Sequence, residues 1–231
     1  MKTIGIIAGL SWESSIEYYR LLNIKVQSAL GGVHSARIIM TSVDFQEYSD
    51  NMKADRWDII EKALIDEATK LKTAGADAIA IATNTMHVFA DAVENNTGLP
   101  LVHIADAAGK AVKSCAISKV GLLGTKYSME KDFYSLRLAE KSGIETIIPL
   151  SPDRERINGF IMDEFCRGIF TDEARSYFIK VISDLESRGA KGIILGCTEI
   201  PLLIKQDDVN IRLFDTMALH IDAITEYMLQ Y

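Results

Sequence analysis

Short apolar runs alternate with longer amphipathic stretches along the chain, and this alternation predicts its secondary structure. A short apolar run bounded by glycine, proline or polar residues is typical of a buried strand. The longer stretches place apolar residues at helical spacing, and polar residues or glycine mark their ends. Strands that alternate with helices in this way form parallel sheets with helices on both faces. The predicted fold class is therefore α/β.

The pattern predicts a first strand at Thr3–Ala8, followed by a helix that Ser11 caps. Asp55 is predicted to cap a second long helix. Further strands are expected at Arg37–Val43, Ala76–Ala82, Leu101–Ile104, Lys119–Gly124, Glu145–Leu150, the run into Gly196, and Ile211–Phe214. Helices are expected over residues 12–30, 55–73, from the polar cluster at 83–85 to about 95, 105–114, 129–141, 153–167 and 171–188, after Pro201, and from 215 onward.

The chain also contains an internal repeat. The segment Leu71–Met86 aligns with Leu185–Ile200, with a leucine, a Gly-Ala pair, an apolar run and a polar cluster in register. The strand Ile4–Ala8 matches Val120–Gly124 at nearly the same offset. A period this long indicates two duplicated, Rossmann-like halves, because solenoid repeats are much shorter.

Within the repeat, Thr83 falls on Cys197. We expect the first half at residues 1–104 together with 215–231, and the second half at 105–214. Open parallel sheets bind ligands at the carboxyl ends of their strands. The repeat therefore predicts a site in the cleft between the halves, with Thr83 and Cys197 on opposite sides.

The segment Lys191–Pro201 places a thiol where a strand ends and a helix begins. Thr198 is predicted to cap that helix, and Pro201 fits its first turn. Backbone N–H groups at a helix N-terminus favour a thiolate over a thiol, which makes Cys197 a candidate catalytic residue. From this segment alone, a buried structural thiol is the alternative.

Composition excludes several functional classes. The formal net charge is −7 and no Lys/Arg cluster is present, so we expect no nucleic-acid partner. The three cysteines form neither a disulfide framework nor a Cys-x-x-Cys metal pair, so we expect reduced thiols and a cytoplasmic protein. No apolar segment reaches the length that spans a membrane, and the N-terminal run is too short for a signal peptide.

Two groups on opposite faces of a ligand can invert a carbon. One group removes a proton from one face, and the other returns a proton to the opposite face. A thiol suits the base role, since its ordinary pKa of roughly 8.5 is readily lowered at a helix N-terminus. Strand-end caps would bind carboxylates and stabilise the enolate-like charge that develops.

Several motifs together resemble the cofactor-independent aspartate/glutamate racemases, and the resemblance covers nearly the whole chain. The matching motifs are Gly-Leu-Ser-Trp-Glu-Ser at 9–14, Ser-Val-Asp-Phe at 42–45, Thr-Asn-Thr-Met-His at 83–87, Gly124-Thr125 with Met129, Cys-Arg-Gly at 166–168, and Gly-Cys-Thr-Glu at 196–199. The resemblance implies an isomerase that needs neither pyridoxal phosphate nor a metal. It also implies a small acidic amino acid as substrate and a homodimer.

Members of that family use two cysteines as the opposed acid and base. The resemblance implies that Cys197 is the second of these cysteines. At the position of the first cysteine, this chain has Thr83. A threonine hydroxyl is a much weaker acid than a thiol, and it can pass on a proton or position a water. In the family the second cysteine faces the proton of the L-amino acid, so this pair predicts a racemase biased toward L-aspartate or L-glutamate.

The family pattern also implies substrate-binding residues. Asn84, Thr85 and Thr198 match positions that bind the α-carboxylate, and all three are helix-cap candidates together with Glu199. Ser11 and Thr125 occupy matching strand-end turns, where a ligand contact is expected. Arg167 is a candidate partner for the distal carboxylate or else an exposed helix-end cation, and Gln46 is a weaker candidate. Cys115 and Cys166 are interpreted as inert helix residues, while His87 is either a surface, a core or a site residue.

Two other functions fit parts of this pattern. A single-cysteine lyase that resembles the arylmalonate decarboxylases would use one thiol to protonate an enolate. Such a site needs an apolar pocket, whereas the Thr-Asn-Thr cluster favours an amino acid. A non-catalytic amino-acid-binding protein would keep the cleft without a working acid/base pair.

Overall fold

The computed structural model describes residues 1–230, and contacts divide the chain into two compact units. The first unit contains Met1–His103 and the chain from His220 onward, and the second contains Ile104–Leu219. The domain organisation expected from the sequence, with residues 1–104 and 215–231 in one half and 105–214 in the other, stays a prediction. Among residues 1–230, no helix combines the length and hydropathy that crossing a bilayer requires.

The first unit is built on a three-stranded parallel sheet in the order β2-β1-β3. Its strands are β1 (Ile4–Ala8), β2 (Ile38–Ser42) and β3 (Ala78–Ile81). Every residue of β1 and β3 is buried, as expected for the apolar runs in the sequence. The helices that follow are α1 (Trp12–Leu30), α2 (Phe45–Lys53), α3 (Trp57–Thr73) and α4 (Ala90–Thr97), with a 3₁₀ turn at Thr85–Phe89 before α4.

The second unit is built on a four-stranded parallel sheet in the order β5-β4-β6-β7. Its strands are β4 (Lys119–Gly124), β5 (Glu145–Ile147), β6 (Gly192–Gly196) and β7 (Arg212–Asp215). The helices are α5 (Ile104–Ser114), α6 (Lys126–Glu130), α7 (Asp132–Ser142), α8 (Ser151–Gly159), α9 (Asp172–Ser187) and α10 (Ile200–Leu203). The last helix, α11 (Thr216–Leu229), contains the point at which the two units divide.

Both sheets place their first three strands in the same order, with the first strand between the second and the third. This is the topology that the internal repeat predicts. The α/β prediction of two Rossmann-like halves with parallel sheets is confirmed.

Some predicted elements are wrong in detail. The strand expected at Leu101–Ile104 is a single parallel bridge between Ile79 and Leu101, because the chain enters α5 at Ile104. The sequence pattern also missed α2, in which the Asp44 side chain accepts from the Gln46 N–H and Tyr48 is buried.

Three predicted helices also have different ends or breaks. Asp55 does not cap α3: its φ of 55° places it in a left-handed turn, and α3 begins at Trp57. The single helix expected at 129–141 is broken at Lys131 into α6 and α7. The helix expected at 153–167 is regular only to Gly159, because a π-helical turn at Phe160–Glu164 and a 3₁₀ turn at Phe165–Arg167 follow it.

An apolar core behind β6 supports the end of that strand. Phe160, Phe165 and Phe178 pack against one another with ring centroids 5.6–6.4 Å apart. Burying one such side chain contributes roughly 1.5–3 kcal/mol to stability. Cys197 belongs to the same cluster, so the residue that follows β6 is held by the core of the second unit.

Candidate active site

Three strand ends meet at one edge of the first sheet. Ile7 pairs with Ile81 across β1 and β3, and Ala8 pairs with Ser42 across β1 and β2. Because the strands are parallel, the turns after them lie side by side. This edge therefore carries the predicted site residues of the first unit, which are Ser11, Gln46, Thr83, Asn84 and Thr85.

Ser11 lies in a strained turn between β1 and α1. Its φ of 153° is uncommon for a residue with a side chain, and such strain costs about 1–3 kcal/mol and is concentrated at functional sites. The hydroxyl groups of Ser14 and Ser15 donate to its carbonyl at 3.1 and 2.7 Å. The Ser11 hydroxyl donates to Glu13 at 3.2 Å and makes no cap bond, so the predicted cap of α1 is wrong.

The turn after β3 presents the Thr83 hydroxyl. Thr83 is half-buried, its N–H donates to the Ile81 carbonyl at 2.8 Å, and its own carbonyl is bonded by the His87 ring. Among residues 1–230, none forms a hydrogen bond with the Thr83 hydroxyl. The fold therefore does not use this hydroxyl as a hydrogen-bonding group.

The neighbouring polar residues do not cap the turn as expected. Asn84 is buried at the N-cap position of the 3₁₀ turn, but its side chain makes no cap bond there. Thr85 is buried as the first residue of that turn. Gln46 is exposed, and its amide group donates to Asp50 at 2.8 Å within α2, so it is held against its own helix.

In the second unit, Thr125 and Cys197 follow neighbouring strands in register. Gly124 at the end of β4 pairs with Gly196 at the end of β6. A Cβ on Gly124 would lie 2.7 Å from the Gly196 carbonyl oxygen, so this approach needs glycine. Thr125 caps α6 by accepting from the Ser128 N–H at 3.2 Å.

Cys197 is paired with a carboxylate two residues later. Its thiol is 6% exposed and donates to Oε2 of Glu199 at 2.9 Å. The Thr198 hydroxyl donates to the same oxygen at 3.0 Å, and both of these residues are buried. A buried carboxylate therefore accepts hydrogen bonds from the thiol and from the hydroxyl beside it.

The pKa of Cys197 is displaced in the direction opposite to the sequence-based expectation. Burial raises the pKa of the Cys197 thiol well above its ordinary value, and the charge of Glu199 raises it further. The Glu199 backbone N–H at the N-cap lowers this pKa, but by less than burial and charge raise it, and α10 begins only at Ile200 and is four residues long. Thr198 does not cap this helix, and Glu199, at the N-cap position, makes no side-chain cap bond.

Cys166 and the predicted site residue Arg167 follow the π-helical turn. Cys166 is half-buried against the apolar cluster that contains Cys197, and its charge also raises the pKa of Cys197. Cys166 is therefore nearer the site than its interpretation as an inert helix residue implied. Arg167 is exposed, and its side chain forms no ion pair or hydrogen bond within residues 1–230, so its cation can bind a carboxylate from solution. Cys115 is half-buried just after α5.

The sequence pattern missed a buried histidine cluster in the first unit. The ring of His87 lies 4.6 Å from that of His103 and 5.6 Å from that of His220, measured between centroids. These residues are far apart in the chain and follow no common motif, so spacing gave no signal. In the part of the chain that the structure describes, no group of three or more His, Cys, Asp or Glu side chains is arranged to hold a metal ion.

Comparison with known proteins gives a consistent result. The Asp/Glu/hydantoin racemase family model matches residues 7–224. A candidate Asp/Glu racemase from Yersinia pestis has a similar crystal structure, with a TM-score of 0.92 and 48% sequence identity over 100% of both chains. An aspartate racemase homologue from Pyrococcus horikoshii OT3 has a TM-score of 0.83 and 35% identity, again over 100% of both chains.

Among curated proteins, the broad specificity amino-acid racemase RacX of Bacillus subtilis (strain 168) is 28% identical over 151 residues. This match covers 62% of the present chain and 63% of RacX, so the chain spans less than two thirds of that relative's length.

Proposed function

Because the chain belongs to the Asp/Glu/hydantoin racemase family, we propose that it racemises a small acidic amino acid, aspartate or glutamate, by proton transfer at the α-carbon. In this proposal Cys197 removes the α-proton of the L-enantiomer and Thr83 supplies a proton to the opposite face. The reaction uses no pyridoxal phosphate and no metal. The names of the Yersinia pestis and Pyrococcus horikoshii relatives support the substrate class.

The observation that carries the proposal is the hydrogen bond from Cys197 to Glu199. A buried thiol with a raised pKa is a poor base unless a neighbouring group takes its proton. The Glu199 carboxylate lies 2.9 Å from the thiol and can accept that proton, which leaves a thiolate facing the substrate. The thiolate takes the α-proton, which restores the thiol, and Glu199 releases its proton to water when the cycle closes.

The Thr83 side carries no such acceptor. Its hydroxyl forms no hydrogen bond with a described residue, so no carboxylate or imidazole is placed to activate it as a base. It can still donate a proton to the carbanion, and water replaces the proton that it loses. This inequality supports removal of the proton mainly from the L-enantiomer.

Binding is assigned to the turns around these two residues. We propose that Asn84, Thr85 and Thr198 bind the α-carboxylate, with Ser11 and Thr125 at the neighbouring strand ends. Arg167 is the candidate for the distal carboxylate because its guanidinium is exposed and has no carboxylate partner among the described residues. Gln46 is a weaker candidate, since its amide group is bonded to Asp50.

The proposal is tested by proton NMR of L- and D-aspartate and L- and D-glutamate incubated in D₂O with the enzyme. We expect rapid loss of the α-proton signal from an L-enantiomer and slow loss from its D-enantiomer. Thr83→Cys should accelerate exchange from the D-enantiomer, and Cys197→Ser should abolish exchange from the L-enantiomer. Cys115→Ser is the matched control, because that cysteine lies outside both strand-end turns.

Other outcomes point to other functions. Equal exchange rates from both enantiomers would contradict the L-bias. Deuterium uptake that occurs only with loss of CO₂ from a malonate would indicate a decarboxylase, and binding of the amino acids without exchange would indicate a binding protein.

A further inference from the structure

Three of the four histidines lie together in the first unit, directly behind the turn that carries Thr83. His87, His103 and His220 are each at most 6% exposed. The His87 ring makes a tilted contact with His103 and an edge contact with His220. A cluster of polar rings in a buried position is costly unless its nitrogen atoms are hydrogen-bonded, so the bonds that it makes are informative.

Within this cluster, the His220 ring is held by hydrogen bonds at both of its nitrogen atoms. Its Nε2 lies 2.7 Å from the Val102 carbonyl, and its Nδ1 lies 2.8 Å from the Tyr18 hydroxyl. Because a carbonyl only accepts, Nε2 carries the proton and Nδ1 accepts from Tyr18. Burial lowers the pKa of His220 to about 4, so the ring is neutral at physiological pH. Two hydrogen bonds thus hold this ring in one orientation.

His87 connects the cluster to Thr83. In an α-helix the N–H of residue 87 would bond the carbonyl of residue 83. Here the turn is a 3₁₀ helix, and the His87 N–H donates to the Asn84 carbonyl at 3.1 Å. The Thr83 carbonyl therefore lacks its helical donor, and Nδ1 of the His87 ring supplies one at 2.8 Å.

This bond sets the orientation of a peptide plane at the proposed site. The Thr83 carbonyl and the Asn84 N–H belong to one planar trans peptide and point in opposite directions. Anchoring the carbonyl to His87 consequently turns the Asn84 N–H away from the histidine cluster. It also limits rotation about ψ of Thr83, the residue whose hydroxyl is proposed to deliver a proton.

We propose that His87 is a positioning residue for Thr83, and that its Nδ1–H bond to the Thr83 carbonyl is required for proton delivery to the substrate. This inference rests on the proposed racemase function. It concerns only the Thr83 half of the reaction, because removal of the α-proton from the L-enantiomer is assigned to Cys197. Loss of the bond should therefore slow racemisation more than it slows exchange of the L-enantiomer.

Two substitutions separate the hydrogen bond from the packing of the ring. His87→Phe keeps an aromatic ring against its neighbours and removes the donor. His87→Asn loses the ring but retains an amide N–H close to the position of Nδ1. His103→Phe is the control, since it alters a ring of the same cluster that makes no bond to Thr83.

The measured quantity is the rate of D-product formation divided by the rate of deuterium exchange into the L-enantiomer, both in D₂O. We expect His87→Phe to lower this ratio about tenfold or more, since a small misplacement of a reacting group is that costly. His87→Asn should restore much of the ratio, and His103→Phe should leave it near the wild-type value. All variants are compared at a temperature where circular dichroism shows each of them folded.

The results that would contradict the role of His87 differ from those that would contradict the proposed function. If wild type exchanges the L-enantiomer and forms the D-product, but His87→Phe keeps the wild-type ratio, the positioning role is wrong while the proposed function stands. A lowered ratio in His87→Asn together with a normal ratio in His87→Phe would assign the effect to ring packing and also overturn the inference. Absence of exchange from every enantiomer with wild type would instead remove the proposed function itself.

Discussion

At the level of single residues, Cys197 and Glu199 have to be considered as one acid/base unit. The thiol donates to the carboxylate at 2.9 Å in a buried environment. Burial and the neighbouring charge raise the pKa of Cys197. In the proposed reaction Glu199 takes the thiol proton, and the sulfur becomes an unhydrated thiolate, which is a strong base.

We predict that Glu199→Gln lowers the rate of α-proton exchange from the L-enantiomer by about 100-fold, the low end of what a general base contributes. Glutamine is close in size and keeps an acceptor for Thr198, but it cannot accept the thiol proton. The measurement is kcat for exchange in D₂O. Glu145→Gln is the control, because Glu145 is exposed and pairs with Lys119 away from the site.

The same substitution should shift the pH dependence of thiol reactivity in a known direction. The charge of Glu199 raises the pKa of Cys197, so removing that charge lowers the pKa, although burial keeps it above the ordinary value. Alkylation of Cys197 by iodoacetamide, followed by mass spectrometry over a pH series, should therefore have its midpoint at a lower pH in Glu199→Gln. An unchanged midpoint together with unchanged exchange would contradict the paired unit.

At the level of secondary-structure elements, the close approach of β4 and β6 places the proposed site. Gly124 and Gly196 are paired residues at the two strand ends, immediately before Thr125 and Cys197. Leu122 and the Leu123 carbonyl occupy the space that a side chain on Gly196 would need. The position of Cys197 therefore depends on two residues without side chains.

We predict that Gly124→Ala destabilises the protein by about 1–3 kcal/mol, the usual cost of overpacking. The new Cβ would lie 2.7 Å from a backbone oxygen, which cannot move away as a flexible side chain can. Chemical denaturation measures the free energy of unfolding, and exchange of the L-enantiomer should fall at the same time.

Gly159→Ala is the matched control for this substitution. Gly159 ends α8 with helical backbone angles, and apart from its chain neighbours and its own helix backbone no heavy atom lies within 4 Å of the position of its Cβ. Alanine should stabilise the protein by roughly 0.5–1 kcal/mol at such a position. Equal effects of the two substitutions would show that the β4–β6 approach tolerates a side chain.

Elements buried on both faces were predictable, and those at the surface were less so. The runs that became β1, β3 and β6 are apolar throughout, and β4 is apolar after Lys119, so their pattern is unambiguous. Helix α2 was missed because it is short and mostly polar, and packing of Tyr48 and Met52 decides it. The π-helical turn after Gly159 begins at Phe160, whose ring packs against Phe165 and Phe178 in the folded unit, and such contacts leave no local pattern in the sequence.

At the level of the whole molecule, the internal repeat explains why the two proposed catalytic positions are unequal. The alignment places Thr83 on Cys197, Asn84 on Thr198, and Thr85 on Glu199. One copy therefore contains a thiol with its carboxylate, and the other contains two hydroxyl groups and an amide. The two copies therefore place these residues at equivalent strand ends, but the side chains differ in how they can transfer a proton.

We predict that exchanging the two residues reverses the enantiomer preference. The double variant Thr83→Cys/Cys197→Thr should exchange the α-proton of the D-enantiomer faster than that of the L-enantiomer. Its rate on the D-enantiomer should remain about 100-fold below that of wild type on the L-enantiomer, because no carboxylate follows Cys at position 83. NMR in D₂O with separate enantiomers measures both rates.

The single variant Thr83→Cys is the control for this exchange, since it keeps Cys197 with Glu199. It should retain rapid exchange from the L-enantiomer while gaining exchange from the D-enantiomer. A double variant that still prefers the L-enantiomer would show that features other than these two residues determine the preference.

The sequence by itself determined the class of fold, the duplication, the family and the inequality of Thr83 and Cys197. These follow from local hydrophobic pattern and from residue identity, which are properties of the covalent chain. Only the tertiary structure decided the protonation chemistry of Cys197 and the anchoring of Thr83. A pKa depends on which groups exclude water and which charge lies nearby, and the histidine cluster unites residues 87, 103 and 220 that only folding brings into contact.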